Sequence, residues 1–196
     1  MNRWTYWGEG EIGPVTIIPD SHEDDRGVFT VTLPVQELVD KLPGMPARGF
    51  QQLNTIETRI GVIRGLHVDM TGQQGKLVWA ADGRHLSVAV DVREDSPMRG
   101  KWAMAELTSW GYEQFWVPPG FAHGTVCLSL GGVLQYASTT RYSPENERGL
   151  SPLAISMPWP ARADFSTLRP QDTRVASIDQ LWEEWHEQNS GGVPAS

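Results

Sequence analysis

Glycine and proline punctuate the whole chain, 20 and 14 of its 196 residues, and cut it into short apolar runs. "GVFTVTL" (27–33), "FQQLNTIE" (50–57), "GKLVWAA" (75–81), "HLSVAVDVR" (85–93), "WAMAELT" (102–108), "EQFWVPP" (113–119), "GTVCLSL" (124–130) and "GVLQYASTTRY" (132–142) all read as strands. Within "LSVAVDV", two-residue alternation puts Leu86, Val88, Val90 and Val92 on one face and Ser87, Ala89 and Asp91 on the other. Many short strands separated by turn residues predict an all-β sandwich or barrel. Helical spacing is confined to two places. One is "VQELVDKL" (35–42). The other is "SIDQLWEEWHEQ" (177–188), where Ile178, Leu181, Trp182 and Trp185 recur at helical intervals and Ser177 with Gln180 makes a capping-box pattern. We therefore expect a barrel domain over 1–176, followed by a short C-terminal helix and a frayed tail over 177–196. The proline-rich stretch 143–172 reads as mostly loop.

The net charge of −8 argues against nucleic acid and anionic membrane surfaces as partners, but leaves room for a small anion held by local arginines. No window carries the roughly 18 apolar residues of a membrane span. "MNRWTYWGEGEIG" lacks the apolar core of a signal peptide. The single cysteine, Cys127, excludes an intrachain disulfide and reads as a small core residue, so a soluble cytoplasmic protein is expected.

Residues 63–80, "IRGLHVDMTGQQGKLVWA", raise the chemical question. Arg64, His67 and Lys76 crowd a strand–loop–strand segment, and charged groups seldom sit on an inward strand face without a partner. Of the five histidines, His22 and His85 read as turn residues and His186 as a surface residue. His67 and His123 are each flanked by strand-like sequence. His123 closes "PPGFAH", half of the cupin metal motif, but "LHVDMTGQQGK" supplies neither a His-x-His pair nor a glutamate. A metal held by His67, Asp69 and His123 is disfavoured for want of ligands. There is no nucleophile elbow, phosphate loop or dinucleotide fingerprint. What remains is a metal-free acid–base site with cations for an anion. Plain structural roles exist for several polar side chains: Tyr136 as a strand anchor, Lys76 reaching to solvent, and Asp172 capping a turn. Trp79, Phe115, Trp116 and Phe121 read as core more than as a base-stacking platform.

Strict alternation sends Arg64 and His67 to opposite faces of one strand. They can share a pocket only through a bulge or twist, which we place at Gly65; otherwise Arg64 acts from the edge or on a ligand bound by a neighbouring chain.

The motifs "DDRGVF" (24–29), "FQQLN" (50–54), "GVIRGLH" (61–67), "QGKLV" (74–78), "VAVDVREDSP" (88–97), "WVPPGFAHG" (116–124) and "LQYASTTRYSP" (134–144) occur in order. On these the chain resembles the dTDP-4-dehydrorhamnose 3,5-epimerase family over roughly residues 24–172. The resemblance implies a double-stranded β-helix, the cupin-type jelly roll without metal or other cofactor, usually a homodimer. It implies epimerisation of a dTDP-4-keto-6-deoxyhexose at C3, C5 or both, as in rhamnose and other deoxysugar biosynthesis. It casts His67 as general base, Asp172 as its orienting carboxylate, Tyr136 as the acid on the opposite sugar face and Lys76 beside the ketone oxygen. Arg26, Gln52, Asn54, Arg64, His123 and Tyr142 become substrate contacts. Ser87, Ala137 and Val31 depart from the commoner residues at their positions, and the departures bear on which carbon reacts. A ketoisomerase, a non-catalytic sugar-binding cupin and a metal-dependent cupin are the competing readings; intact His67, Lys76 and Tyr136 favour an enzyme.

Overall fold

The computed structural model describes residues 2–7 and 12–190. Thirteen strands follow in chain order among them: β1 (Arg3–Tyr6), β2 (Val15–Ile18), β3 (Ser21–Asp24), β4 (Gly27–Thr30), β5 (Gln52–Arg59), β6 (Ile63–Asp69), β7 (Lys76–Asp82), β8 (Arg84–Asp91), β9 (Trp102–Thr108), β10 (Gln114–Val117), β11 (Phe121–Cys127), β12 (Gly131–Ser138) and β13 (Glu147–Gly149). Three helices accompany them: α1 (Val35–Lys41), α2 (Pro170–Thr173) and α3 (Ile178–Ser190).

Two antiparallel sheets face each other. One runs β1-β2-β10-β7-β12-β5, the other β13-β6-β11-β8-β9, and β3–β4 form a separate hairpin. Neighbours in each sheet are mostly distant in sequence, the wrapped pairing of the jelly roll that the resemblance implied. The space between the sheets is filled by Val78, Phe115, Val117 and Leu134 from the first and Ala89, Ala103 and Phe121 from the second. The outer face of the second sheet carries Leu86, Val88, Val90 and Val92 and is covered by Leu181, Trp182 and Trp185 of α3. The alternation read in "LSVAVDV" is therefore real, with both faces buried. α1 covers the first sheet, packing Leu38 on Val15, Ile17, Leu77 and Trp116. Phe115, Trp116 and Phe121 are core, as expected, while Trp79 is half-buried against the α1 layer.

α3 begins at Ile178. Ser177 Oγ accepts the Gln180 N–H at 3.0 Å, but the Gln180 side chain turns back to the Ala176 N–H rather than to Ser177, so the capping box is only approximate. The tail beyond residue 190 lies outside the described residues.

Several expectations need correction. The strand read over 27–33 stops at Thr30, and a turn then leads into the helix that Pro34 starts. β1, β2 and β3 were not anticipated, and His22 lies on β3, opposite Phe29, rather than in a turn. His85 is fully buried on β8 rather than at a turn edge, and burial pushes its imidazole down. Its Nε2 lies 3.2 Å from the Asp82 carbonyl.

Gly65 makes the bulge. On β11 two steps separate His123 from Thr125, whereas on β6 three separate their partners His67 and Arg64, so β6 carries one extra residue. Gly65 has φ +103°, and a Cβ there would come within 2.5 Å of the His123 carbonyl oxygen. Only glycine allows that approach. The extra residue resets the alternation, and Arg64 and His67 line one cleft together with Arg169 and Asp172.

Candidate active site

The inner positions of the two sheets deliver the polar groups. In the first sheet Tyr136 lies opposite both Val78 and Asn54, and Ser138 opposite both Lys76 and Gln52. These residues share the face that packs into the barrel. In the second sheet His67 lies opposite His123 on one side and Gly149 on the other. His67 and His123 therefore face Lys76 and Tyr136 across the barrel interior.

His67 Nε2 lies 2.8 Å from Asp172 Oδ1. The other Asp172 oxygen accepts the Arg169 N–H at 2.8 Å. Asp172 thus both caps α2, the plainer role read for it, and hydrogen-bonds the His67 imidazole. Burial alone raises its carboxyl pKa, but the hydrogen bonds from His67 and the Arg169 N–H, with the charges of both residues, outweigh it and hold the group below the usual carboxylate range. An ionised carboxylate only accepts, so Nε2 carries the proton and Nδ1 keeps the lone pair.

Lys76 is half-buried at the start of β7. Burial pushes its ammonium below the ordinary lysine range, against the opposing pull of Glu147 and Asp69. Burial also pushes His123 well down, and Lys76 and His67 push it in the same direction. His123 is therefore a neutral imidazole, hydrogen-bonded to Ser87 Oγ at 2.9 Å. The Tyr136 phenol is pushed up by burial and then by Glu147 and Tyr142, so it stays protonated.

Gln52, Asn54 and Tyr142 form a cluster at the edge of this space. Gln52 donates to Asn54 Oδ1 at 2.7 Å and accepts the Tyr142 N–H at 3.0 Å. Arg64 donates to Thr58 Oγ1 and the Glu57 carbonyl. Arg26 stands apart: it sits on the exposed β3–β4 hairpin, paired with Asp24. Among the described residues no group of three or more His, Cys, Asp and Glu could hold a metal ion.

Sequence reasoning missed Glu147 and Arg169. Glu147 lies 3.9 Å from His67 Nδ1 and 3.5 Å from the Tyr142 hydroxyl, and it acts electrostatically on Lys76 and Tyr136. It occupies a three-residue strand inside a stretch read as loop, where no alternation could reveal it. Arg169, three residues before Asp172, was passed over as part of the stretch 143–172 read as loop.

Gly149 fixes how α2 reaches the site. A Cβ there would collide with the Gln171 backbone carbonyl, one residue from Asp172. Gly149→Ala is expected to displace Asp172 from His67. Misplacing a catalytic partner by about 1 Å costs on the order of 100-fold in rate, whereas the overpacking costs about 1–3 kcal/mol of stability. The downfield NMR signal of the His67 Nε2 proton would report the displacement, and its persistence in the variant would refute it.

A family model described as dTDP-4-dehydrorhamnose 3,5-epimerase matches residues 12–186. The dTDP-4-dehydrorhamnose 3,5-epimerase of Sinorhizobium fredii is 40% identical over 134 residues, 67% of this chain and 68% of that protein. That of Escherichia coli K12 is 35% identical over 175 residues, 87% and 93% of the two chains. Among solved structures, dTDP-6-deoxy-D-glucose-3,5-epimerase from Legionella pneumophila, in complex with dTDP-4-keto-L-rhamnose, is 30% identical with a TM-score of 0.82, covering 94% of this chain and 96% of that one.

Proposed function

The chain belongs to the dTDP-4-dehydrorhamnose 3,5-epimerase family, and from that premise we propose that it epimerises a dTDP-4-keto-6-deoxyhexose at C3 and C5, in rhamnose or related deoxysugar synthesis. One observation carries the mechanism. His67, held by Asp172 of α2, stands on one sheet, while Tyr136 and Lys76 stand on the sheet facing it. A flat sugar ring between the sheets meets a base on one face and an acid on the other, which is what inversion at a carbon requires.

The ketone makes the hydrogens at C3 and C5 acidic, because the carbanion delocalises onto the C4 oxygen. His67 Nδ1 takes the proton, and Asp172 holds the ring and stabilises the imidazolium. The Lys76 ammonium stabilises the developing charge on the enolate oxygen. Tyr136 delivers a proton to the opposite face. Arg64, with Gln52, Asn54, His123 and Tyr142, holds the sugar and its diphosphate.

Arg26 reaches this site only from a second copy, so the reading includes a homodimer. Its support is the exposed apolar surface on the hairpin that carries Arg26 and on the edge strand β5: Phe29 is 65% and Leu53 59% exposed. A cytoplasmic location rests on the lone, buried Cys127.

The test is hydron exchange. In D₂O the protein is expected to place deuterium at C3 and C5 of dTDP-4-keto-6-deoxyglucose, read by ¹H NMR. Exchange at one carbon alone narrows the reaction to that centre, and exchange at neither overturns the reading.

A further inference from the structure

We propose that Glu147 is a proton-relay residue that resets His67 between successive proton abstractions by carrying the proton from Nδ1 to solvent beside Tyr142. This rests on the function proposed above. The need for a relay follows from the proton balance. His67 begins neutral. It takes a carbon-bound hydrogen as a proton, and the electron pair passes into the enolate. Tyr136 then gives its proton to the opposite face, and the enolate pair forms the new C–H bond. His67 is left with an extra proton and Tyr136 lacks one. Neither can act again, on the second carbon or on the next substrate, until His67 sheds its proton and Tyr136 regains one from water.

The Nε2 side of His67 offers no exit, because Asp172 closes it at 2.8 Å and is itself buried and bonded to the Arg169 N–H. The Nδ1 side faces Glu147. Asp69 of β6 lies opposite Glu147 of β13, and His67 lies opposite Gly149. Glu147 and His67 are therefore diagonal neighbours on one face of the pair. The Glu147 Oε1–Nδ1 separation of 3.9 Å is too long for a direct bond and fits a bridging water. The same oxygen lies 3.5 Å from the Tyr142 hydroxyl, and Tyr142 is 57% exposed. Nδ1, Glu147 and Tyr142 thus mark a path from the reacting nitrogen to bulk water.

Glu147→Gln keeps the shape and removes the proton acceptor. In rapid-quench experiments in D₂O, the variant is expected to give a burst of one exchange event per active site, followed by events slower by about 10-fold or more; the wild type shows no burst. Formate, a small carboxylate, should restore the later events in Glu147→Gln and in the smaller Glu147→Ala. Product release limiting the variant would also give a burst, but formate would not relieve it. A variant in which the first and later events slow by the same factor, or one insensitive to formate in both forms, overturns the relay. Failure of the function itself reads differently, as no exchange at all in the wild type.

Discussion

His67→Ala is expected to lower exchange at both carbons by roughly 10³-fold, within the range a positioned general base contributes. The barrel offers no substitute. His123 is neutral, but its Nε2 is taken by Ser87, and it sits beside the buried ammonium of Lys76, which opposes any charge on it. Glu147 lies beyond His67 as seen from Asp172, so removing the ring leaves two carboxylates on either side of an emptied space with no group between them to take the proton. The loss should appear in kcat with little change in KM, because the ring is needed most once the carbon-bound hydrogen moves. Added imidazole should restore part of the exchange. Measured by NMR in D₂O, a His67→Ala protein that exchanges within a few-fold of wild type would remove His67 from the chemistry and leave the His–Asp pair structural.

The legibility of this site varies with its local signal. His67, Lys76, His123 and Tyr136 sit in strands of seven or eight residues, where polar groups stand out against apolar neighbours. The bulge at Gly65 was readable because period-two alternation would otherwise split Arg64 from His67. Asp172 was within reach as a residue, but its partner lies 105 positions away, and only the fold brings the two together. Glu147 had no signal of its own: β13 is three residues long and pairs with β6 through the register of a strand more than seventy residues earlier. His85 was misread because a neighbouring arginine suggested a turn. In fact β8 continues through both, with Arg84 reaching outward to Glu106 and His85 turned inward. Topology and the meeting of distant segments are set by long-range packing, which local periodicity does not encode.

Lys76→Met is expected to lower the exchange rate by about 10²–10³-fold, the usual cost of losing one preorganised donor to a developing oxyanion. Methionine matches the length of the lysine stem and needs no hydration, so the variant should melt no lower than wild type: desolvating an ammonium is costly, and among the described residues only the longer-range pull of Glu147 and Asp69 offsets that cost. The pH profile gives the sharper test. The working form of Lys76 is the ammonium. Burial lowers its pKa more than the two carboxylates raise it, so the ammonium is lost as pH rises through a value below the ordinary lysine range. Tyr136 works as the protonated phenol, and its pKa is pushed up. The wild-type alkaline limb is expected to belong to Lys76, whose pKa moves down while that of the phenol moves up. In Lys76→Met that limb should vanish from its original position, leaving a slower enzyme whose rate holds until the phenol ionises at higher pH. An alkaline limb that stays in place in Lys76→Met would assign it to another group, and the lysine would then have no part in stabilising the enolate.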